Sequence, residues 1–264
     1  MRIAITTRED VFYLPRVFKF ILNKYYNEVL FVLFRTRSIK IDGIIDRNSI
    51  TGNILDFCDF YEDASYYNVF ISKLIKKVYT TTNILNLNLL PSITKELNKK
   101  SISSYCVNSY NDNAVLELLK REKIDILLSI FTPQLLKEDI LSIPNIACIN
   151  LHDALLPQYR GLRASFWELY NNESQAGLTV HVMNKFFDDG DILKQKKIKI
   201  DTNSMHKLNL IKSRIAGELI FNAIEDIKLN GIVGKTNNKK EGSYFPPPNK
   251  YDYLLYKKKG LKIW

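Results

Sequence analysis

Asn150 and His152 stand two residues apart at the end of an apolar run, in INLHDALLPQYRG (Ile149–Gly161), and a group of aspartates follows in FFDDGDIL (Phe186–Leu193). An asparagine amide offers uncharged N–H donors, and an imidazole beside it can donate as a cation or shuttle a proton near neutral pH. On an extended strand, side chains two apart point the same way, so the pair converges on one point. Two such donors suit the oxyanion formed when an amine attacks a carbonyl, where one donor is worth about 3 kcal/mol. A carboxylate near His152 would hold the ring and help move the amine's proton. Asp188, in the turn after TVHVMN, is the candidate.

The elements around these residues must bring them together. RIAIT (Arg2–Thr6) and EVLFVLF (Glu28–Phe34) read as buried strands, with a helix between them in which Pro15 lies near the start. Residues 36–110 give no clear pattern apart from a helical look in VFISKLIKKV (Val69–Val78). Alternation then resumes: a helix in NAVLELLKREK (Asn113–Lys123), a strand in IDILLSI (Ile124–Ile130), a short helix in PQLLKEDILSI (Pro133–Ile143), and a strand in NIACINL (Asn145–Leu151). GLTVHVMN (Gly177–Asn184) and LKQKKIKI (Leu193–Ile200) alternate with period two, as half-exposed or edge strands do. From Asn203 to Gly231 one apolar stripe predicts a long helix with a stop signal. The implied fold is α/β: an open, mainly parallel sheet with helices on both faces, a closing helix and a short tail. We divide it into residues 1–202 as the catalytic unit and 203–264 as closing helix and tail. No GxGxxG follows the first strand, which argues against a dinucleotide site. Ligands in such sheets lie beyond the carboxyl ends of strands, where Asn150 and His152 fall.

Composition sets the remaining bounds. The 264 residues are 46% hydrophobic, enough for a packed core, and no apolar stretch exceeds strand length. With a charged amino terminus, MRIAITTRED, the expectation is a soluble cytoplasmic protein without membrane contact. Cys58, Cys106 and Cys148 have no ligand spacing and read as small buried hydrophobes. The formal charge is +10, but Lys228–Trp264 holds nine lysines against Glu241 and Asp252, so +7 of that excess sits in the tail. His181, alternating within a strand, and His206, opening a helix, read as structural.

Together, INLHDALLPQYRG, GLTVHVMN and FFDDGDIL resemble the folate-dependent formyltransferases, whose pattern runs N-x-H-P-S-L-L-P and then D-x-G. The likeness is clear from Asp125 to Gln195 and diffuse over the first 35 residues. It implies a Rossmann-like formyltransferase sheet, Asn150, His152 and Asp188 as catalytic residues, 10-formyltetrahydrofolate as co-substrate, and no metal. It also places the folate head against Phe131, Gln134, Leu135 and Leu136, with Phe186 and Phe187 in the loop before Asp188. Asp153-Ala154 departs from the family's Pro-Ser and could set an extra carboxylate beside the amine.

Within the family the chain is most similar to the sugar N-formyltransferases. That resemblance implies a nucleotide-linked amino sugar as acceptor, with Arg160 and Arg163 pairing a diphosphate and Trp167 stacking a base. Phe166, Trp167 and Tyr170 also have the spacing of plain core packing. The tRNA-directed members carry a further C-terminal barrel, for which the stretch after the long helix is too short, so nucleic acid is not the expected partner. The tail could instead build a homodimer. The alternatives are a methionyl-tRNA formyltransferase or a formyltetrahydrofolate hydrolase.

Overall fold

The structure, a computed structural model of the chain, describes residues 1–10, 12–36, 40–47 and 91–264. Its parallel centre is formed by β1 (Ile3–Thr7), β2 (Val29–Arg35), β4 (Ser103–Val107), β5 (Ile126–Ile130) and β6 (Ala147–His152). At one edge β3 (Ile45–Asp46) runs antiparallel to β4. At the other, β8 (Gln175–Val182) and β9 (Ile192–Lys199) run antiparallel, giving the order β3-β4-β2-β1-β5-β6-β8-β9. The mainly parallel α/β sheet expected from the sequence is therefore present, and β9 is the lysine-bearing edge strand, a type that resists pairing with other chains.

Burial on both faces explains the unbroken apolar runs of the central strands. Ile3 and Ile5 of β1 pack on one face with α1 (Leu14–Tyr25), α2 (Ile93–Asn98) and α6 (Met205–Asn230). Ala4 faces the other way, toward α3 (Asn113–Arg121) and α4 (Glu138–Leu141). Asp10 starts α1: its Oδ1 accepts from the backbone N–H groups of Phe12, Tyr13 and Leu14 at 2.8, 2.6 and 3.1 Å. The long helix matches its prediction to within a residue or two, with Ser204 capping its start and Gly231 at positive φ ending it. None of the helices among the described residues is long and apolar enough to cross a membrane.

Two expectations shift. The helix predicted over Pro133–Ile143 is reduced to α4, because residues before it are tied down as a loop. Gln134 accepts from the Tyr110 N–H at 3.0 Å, and Asn111 accepts from the Lys137 N–H at 2.8 Å. The segment without a clear pattern supplies α2 and β4. Val69–Val78 lies outside the described residues.

The tail folds back on its own chain. Tyr244–Phe245, as β10, pairs in parallel with β7 (Arg160–Gly161), and α7 (Lys250–Lys258) opens with a capping box between Asn249 and Asp252. Its rings close an aromatic cluster on α5 (Ala164–Tyr170): Phe166 stacks on Tyr256 at 4.4 Å and Trp167 on Phe245 at 5.1 Å.

Lys212 interrupts the apolar face of α6 and is buried. Its ammonium donates to Glu168 Oε2 at 2.6 Å, to Ser165 Oγ at 2.8 Å and to the Asp153 carbonyl, just past His152. Removing one partner of such a pair strands the other's charge out of water. Lys212→Met should therefore cost about 3–5 kcal/mol in urea unfolding, and Lys212→Met/Glu168→Gln should recover most of that loss.

Candidate active site

The sheet changes direction between β6 and β8, and this change assembles the site. Asn150 lies opposite His181, and His152 opposite Thr179, in the antiparallel ladder. Facing residues on neighbouring strands project from the same side, so β8 adds a second imidazole to the pair on β6. The loop leaving His152 is pinned by Thr179, whose hydroxyl donates to the Ala154 carbonyl at 2.6 Å and accepts from the Leu156 N–H at 3.1 Å.

Asp188 arrives from the turn joining β8 to β9, in a left-handed conformation with φ of 48°. Two residues on, a Cβ on Gly190 would stand 1.9 Å from the Val182 carbonyl oxygen, so only glycine allows this turn to close. Asp188 Oδ1 is 3.4 Å from His152 Nδ1 and 3.6 Å from His181 Nε2. Its Oδ2 accepts from the Gly161 N–H at 2.9 Å.

Hydrogen-bond partners fix the tautomers. The Tyr159 carbonyl 2.9 Å from His152 Nε2 can only accept, so that nitrogen carries a proton. Likewise His181 Nδ1 donates to the Val182 carbonyl at 2.8 Å. Ser129 Oγ donates to Asn150 Oδ1 at 2.8 Å, which turns the amide's N–H toward His181 Nε2, 3.1 Å away.

Burial works against a charged Asp188, but the nearby charge of His152, the bond and charge of His181, and the Gly161 N–H together outweigh it. They hold the carboxyl down at about 2. Cys148, near the start of β6, behaves oppositely, since burial pushes its thiol up to about 12 and leaves it inert.

The other sequence candidates are more scattered. Phe131, at φ of 52°, sits under the Arg8 guanidinium, while Leu136 is fully buried and Leu135 is exposed. Gln134 spends its side chain on Tyr110 and Ser109. Phe186 and Phe187 are about half exposed beside Asp188, and Phe186 carries Lys239 over its ring at 4.3 Å. Arg160 faces Asp189, with 3.9 Å between Nη1 and Oδ1, and Arg163 precedes α5 at φ of 63°. Trp167 requires correction as an open stacking platform: it is buried, bonded to the Pro246 carbonyl at 2.9 Å and covered by the tail. His181, expected from its alternation to be structural, is buried at the site, with Nε2 3.6 Å from Asp188 Oδ1; a polar ring within the run LTVHV was its signal.

A family model described as formyl transferase matches residues 75–217, more than half of the chain. The chain belongs to the formyl transferase family. It is 33% identical over 174 residues to the bifunctional polymyxin resistance protein ArnA of Wigglesworthia glossinidia brevipalpis, covering 66% of this chain and 26% of that protein. It is also 33% identical over 141 residues to the methionyl-tRNA formyltransferase of Clostridium perfringens strain SM101, covering 53% of this chain and 46% of the relative. The chain thus spans less than half the length of these curated relatives. Among solved structures, the sugar 3N-formyl transferase WlaRD, with dTDP and 5-N-formyl-THF, matches 93% of this chain and 69% of its own with TM-score 0.58 at 17% identity. The phosphoribosylglycinamide formyltransferase of Bacillus halodurans matches 87% and 96% with TM-score 0.59 at 14% identity. At these identities the structural likeness establishes the formyl transferase fold.

A carboxyl lowered on folding stabilises the protein above its unfolded value, and that stability is lost as pH falls through the folded value. From an ordinary 3.8 to about 2, the Asp188 contribution is about 2 kcal/mol at neutral pH, declining between about pH 4 and pH 2. Carbon-detected NMR should find the Asp188 midpoint near 2, and Asp188→Asn should flatten this part of the stability profile.

Proposed function

We propose that this chain transfers a formyl group from 10-formyltetrahydrofolate to the amine of a nucleotide-linked amino sugar. The observation that carries the reading is the meeting of Asn150, His152 and Asp188 at the end of β6, with Asp188 ionised against the imidazole. Family membership and the folate ligand of the WlaRD structure support the co-substrate. An N-formyltransferase of Helicobacter canadensis in complex with folinic acid and dTDP-3-aminofucose matches 96% of this chain with TM-score 0.56, at 16% identity. That match supports the choice of acceptor.

In the proposed reaction the neutral amine attacks the formyl carbon, and the carbonyl oxygen becomes an oxyanion. Asn150 Nδ2 and the His152 imidazolium donate to it, the oxyanion taking the place that the Tyr159 carbonyl holds at His152 Nε2. Such bonds commonly re-form when substrate enters. As the intermediate collapses, the bond from carbon to the folate N10 breaks. The amine gives up one proton and N10 receives one, with ionised Asp188 and His152 as the relay. The half-exposed Phe186 and Phe187 and the loop from Phe131 to Leu136 flank the space for the flat folate head. Arg163, and Arg160 once a stronger anion competes with Asp189, are our candidates for the acceptor's diphosphate.

A second reading, formylation of aminoacyl-tRNA, is favoured by the 33% identity to a methionyl-tRNA formyltransferase. Turnover with a panel of nucleotide-linked amino sugars and with charged initiator tRNA, followed by release of tetrahydrofolate, separates the two. We expect turnover with a sugar. Formylation of the tRNA with none of the sugars would overturn the acceptor assignment. His152→Asn and Asp188→Asn should each lower kcat on the order of 100-fold or more while melting as folded proteins. A near-normal rate in either removes that residue from the mechanism.

A further inference from the structure

Asn237 lies in the stretch between α6 and β10, far in sequence from the residues of the site, yet its buried side chain reaches the Asp188 turn. Its Nδ2 donates to the Asp188 carbonyl at 2.9 Å and to the Gly190 carbonyl at 3.2 Å. Two carbonyls on one side can be satisfied only by an N–H group, so the amide has a single workable orientation. Its Oδ1 is buried with no hydrogen-bond partner among the described residues. With its acceptor unpartnered, the buried side chain is held by its two donated hydrogen bonds.

Flanking residues tie the same stretch to both loops of the site. Lys235 exchanges two backbone hydrogen bonds with Ile192 at 2.8 Å, and Lys239 pairs with Asp189 at 2.7 Å. Ser243 accepts from the Tyr159 N–H through its hydroxyl at 2.9 Å, and its carbonyl accepts from the Arg160 N–H at 3.0 Å. One face of the stretch therefore fixes the turn carrying Asp188. The other fixes the loop that presents the Tyr159 carbonyl to His152 and the Gly161 N–H to Asp188.

We propose that Asn237 is a positioning residue for the transfer reaction, clamping the left-handed Asp188 turn so that the carboxylate stays against His152. This rests on the proposed reading of Asp188 as the carboxylate of the formyl-transfer site. Asp188 has no β-strand neighbours of its own, and a non-glycine residue at positive φ relaxes unless its surroundings hold it. The amide supplies that hold at both flanking carbonyls. A carboxylate at position 237 could not, since it has no donors.

Asn237→Ala and Asn237→Asp test the assignment through two readouts. In turnover, kcat should fall on the order of 100-fold with the KM for formyl-folate nearly unchanged, as expected for a misplaced catalytic group. Independently of turnover, the Asp188 carboxyl midpoint should rise from about 2 toward the ordinary aspartate value near 4. A folded Asn237→Ala protein with the wild-type Asp188 midpoint overturns the proposal. If alanine prevents folding, Asn237→Ser, with one donor left, is measured the same way, and an unshifted midpoint again overturns it. Should the wild-type protein formylate no amine, the functional reading fails, while the Asp188 midpoint still decides whether Asn237 positions the turn.

Discussion

A carboxylate held mostly out of water persists as an anion only if its neighbours replace the hydration it has lost. Asp188 meets that condition with two imidazole nitrogens at 3.4 and 3.6 Å and a backbone N–H at 2.9 Å. Each of these comes from a different part of the chain: β6, β8 and the loop at Gly161. The position of the anion therefore depends on all three being held at once. The tautomers follow from the same arrangement, since the carbonyls of Tyr159 and Val182 each claim a proton on the far side of a ring. Ser129 orients the Asn150 amide so that its Nδ2 lies 3.1 Å from His181 Nε2, which ties the third polar side chain to the same cluster.

The sheet makes this possible through one change of strand direction. β5 and β6 run parallel, so Ser129 lies beside Asn150 and orients its amide. β8 runs antiparallel with His181 facing Asn150, and the turn between β8 and β9 carries Asp188 to within 3.4 Å of His152. Gly190 serves the same geometry, because the turn passes too close to Val182 for any side chain.

Two features outside the sheet complete the support. Lys212 and Glu168 bury an ion pair beneath the loop that follows His152, and the lysine also bonds the Asp153 carbonyl. The tail lies against both site loops and covers Trp167 with Phe245. Its lysine-rich composition is a surface property, whereas its buried Asn237 and aromatic residues do the structural work.

Much of this protein was legible in its sequence where local periodicity dominates. The parallel core strands read as apolar runs because both faces are covered, and the long helix read from its stripe and its Asn230-Gly231 stop. Asn150, His152 and Asp188 read from residue type, spacing and family pattern, and the structure brings the three together. What local pattern could not show was anything made by residues distant in sequence. The shortened α4 depends on side chains at 109–111, the closure of Trp167 on a tail some eighty residues later, and His181 on the direction of β8. Asn237 carries no motif at all, because an amide between two carbonyls is defined by where those carbonyls lie. Sequence determined which groups were available and which strands would be buried. Only the tertiary structure decided which donors and acceptors face one another, because hydrogen bonds and charge pairs depend on distances of a few ångströms that the order of residues does not encode.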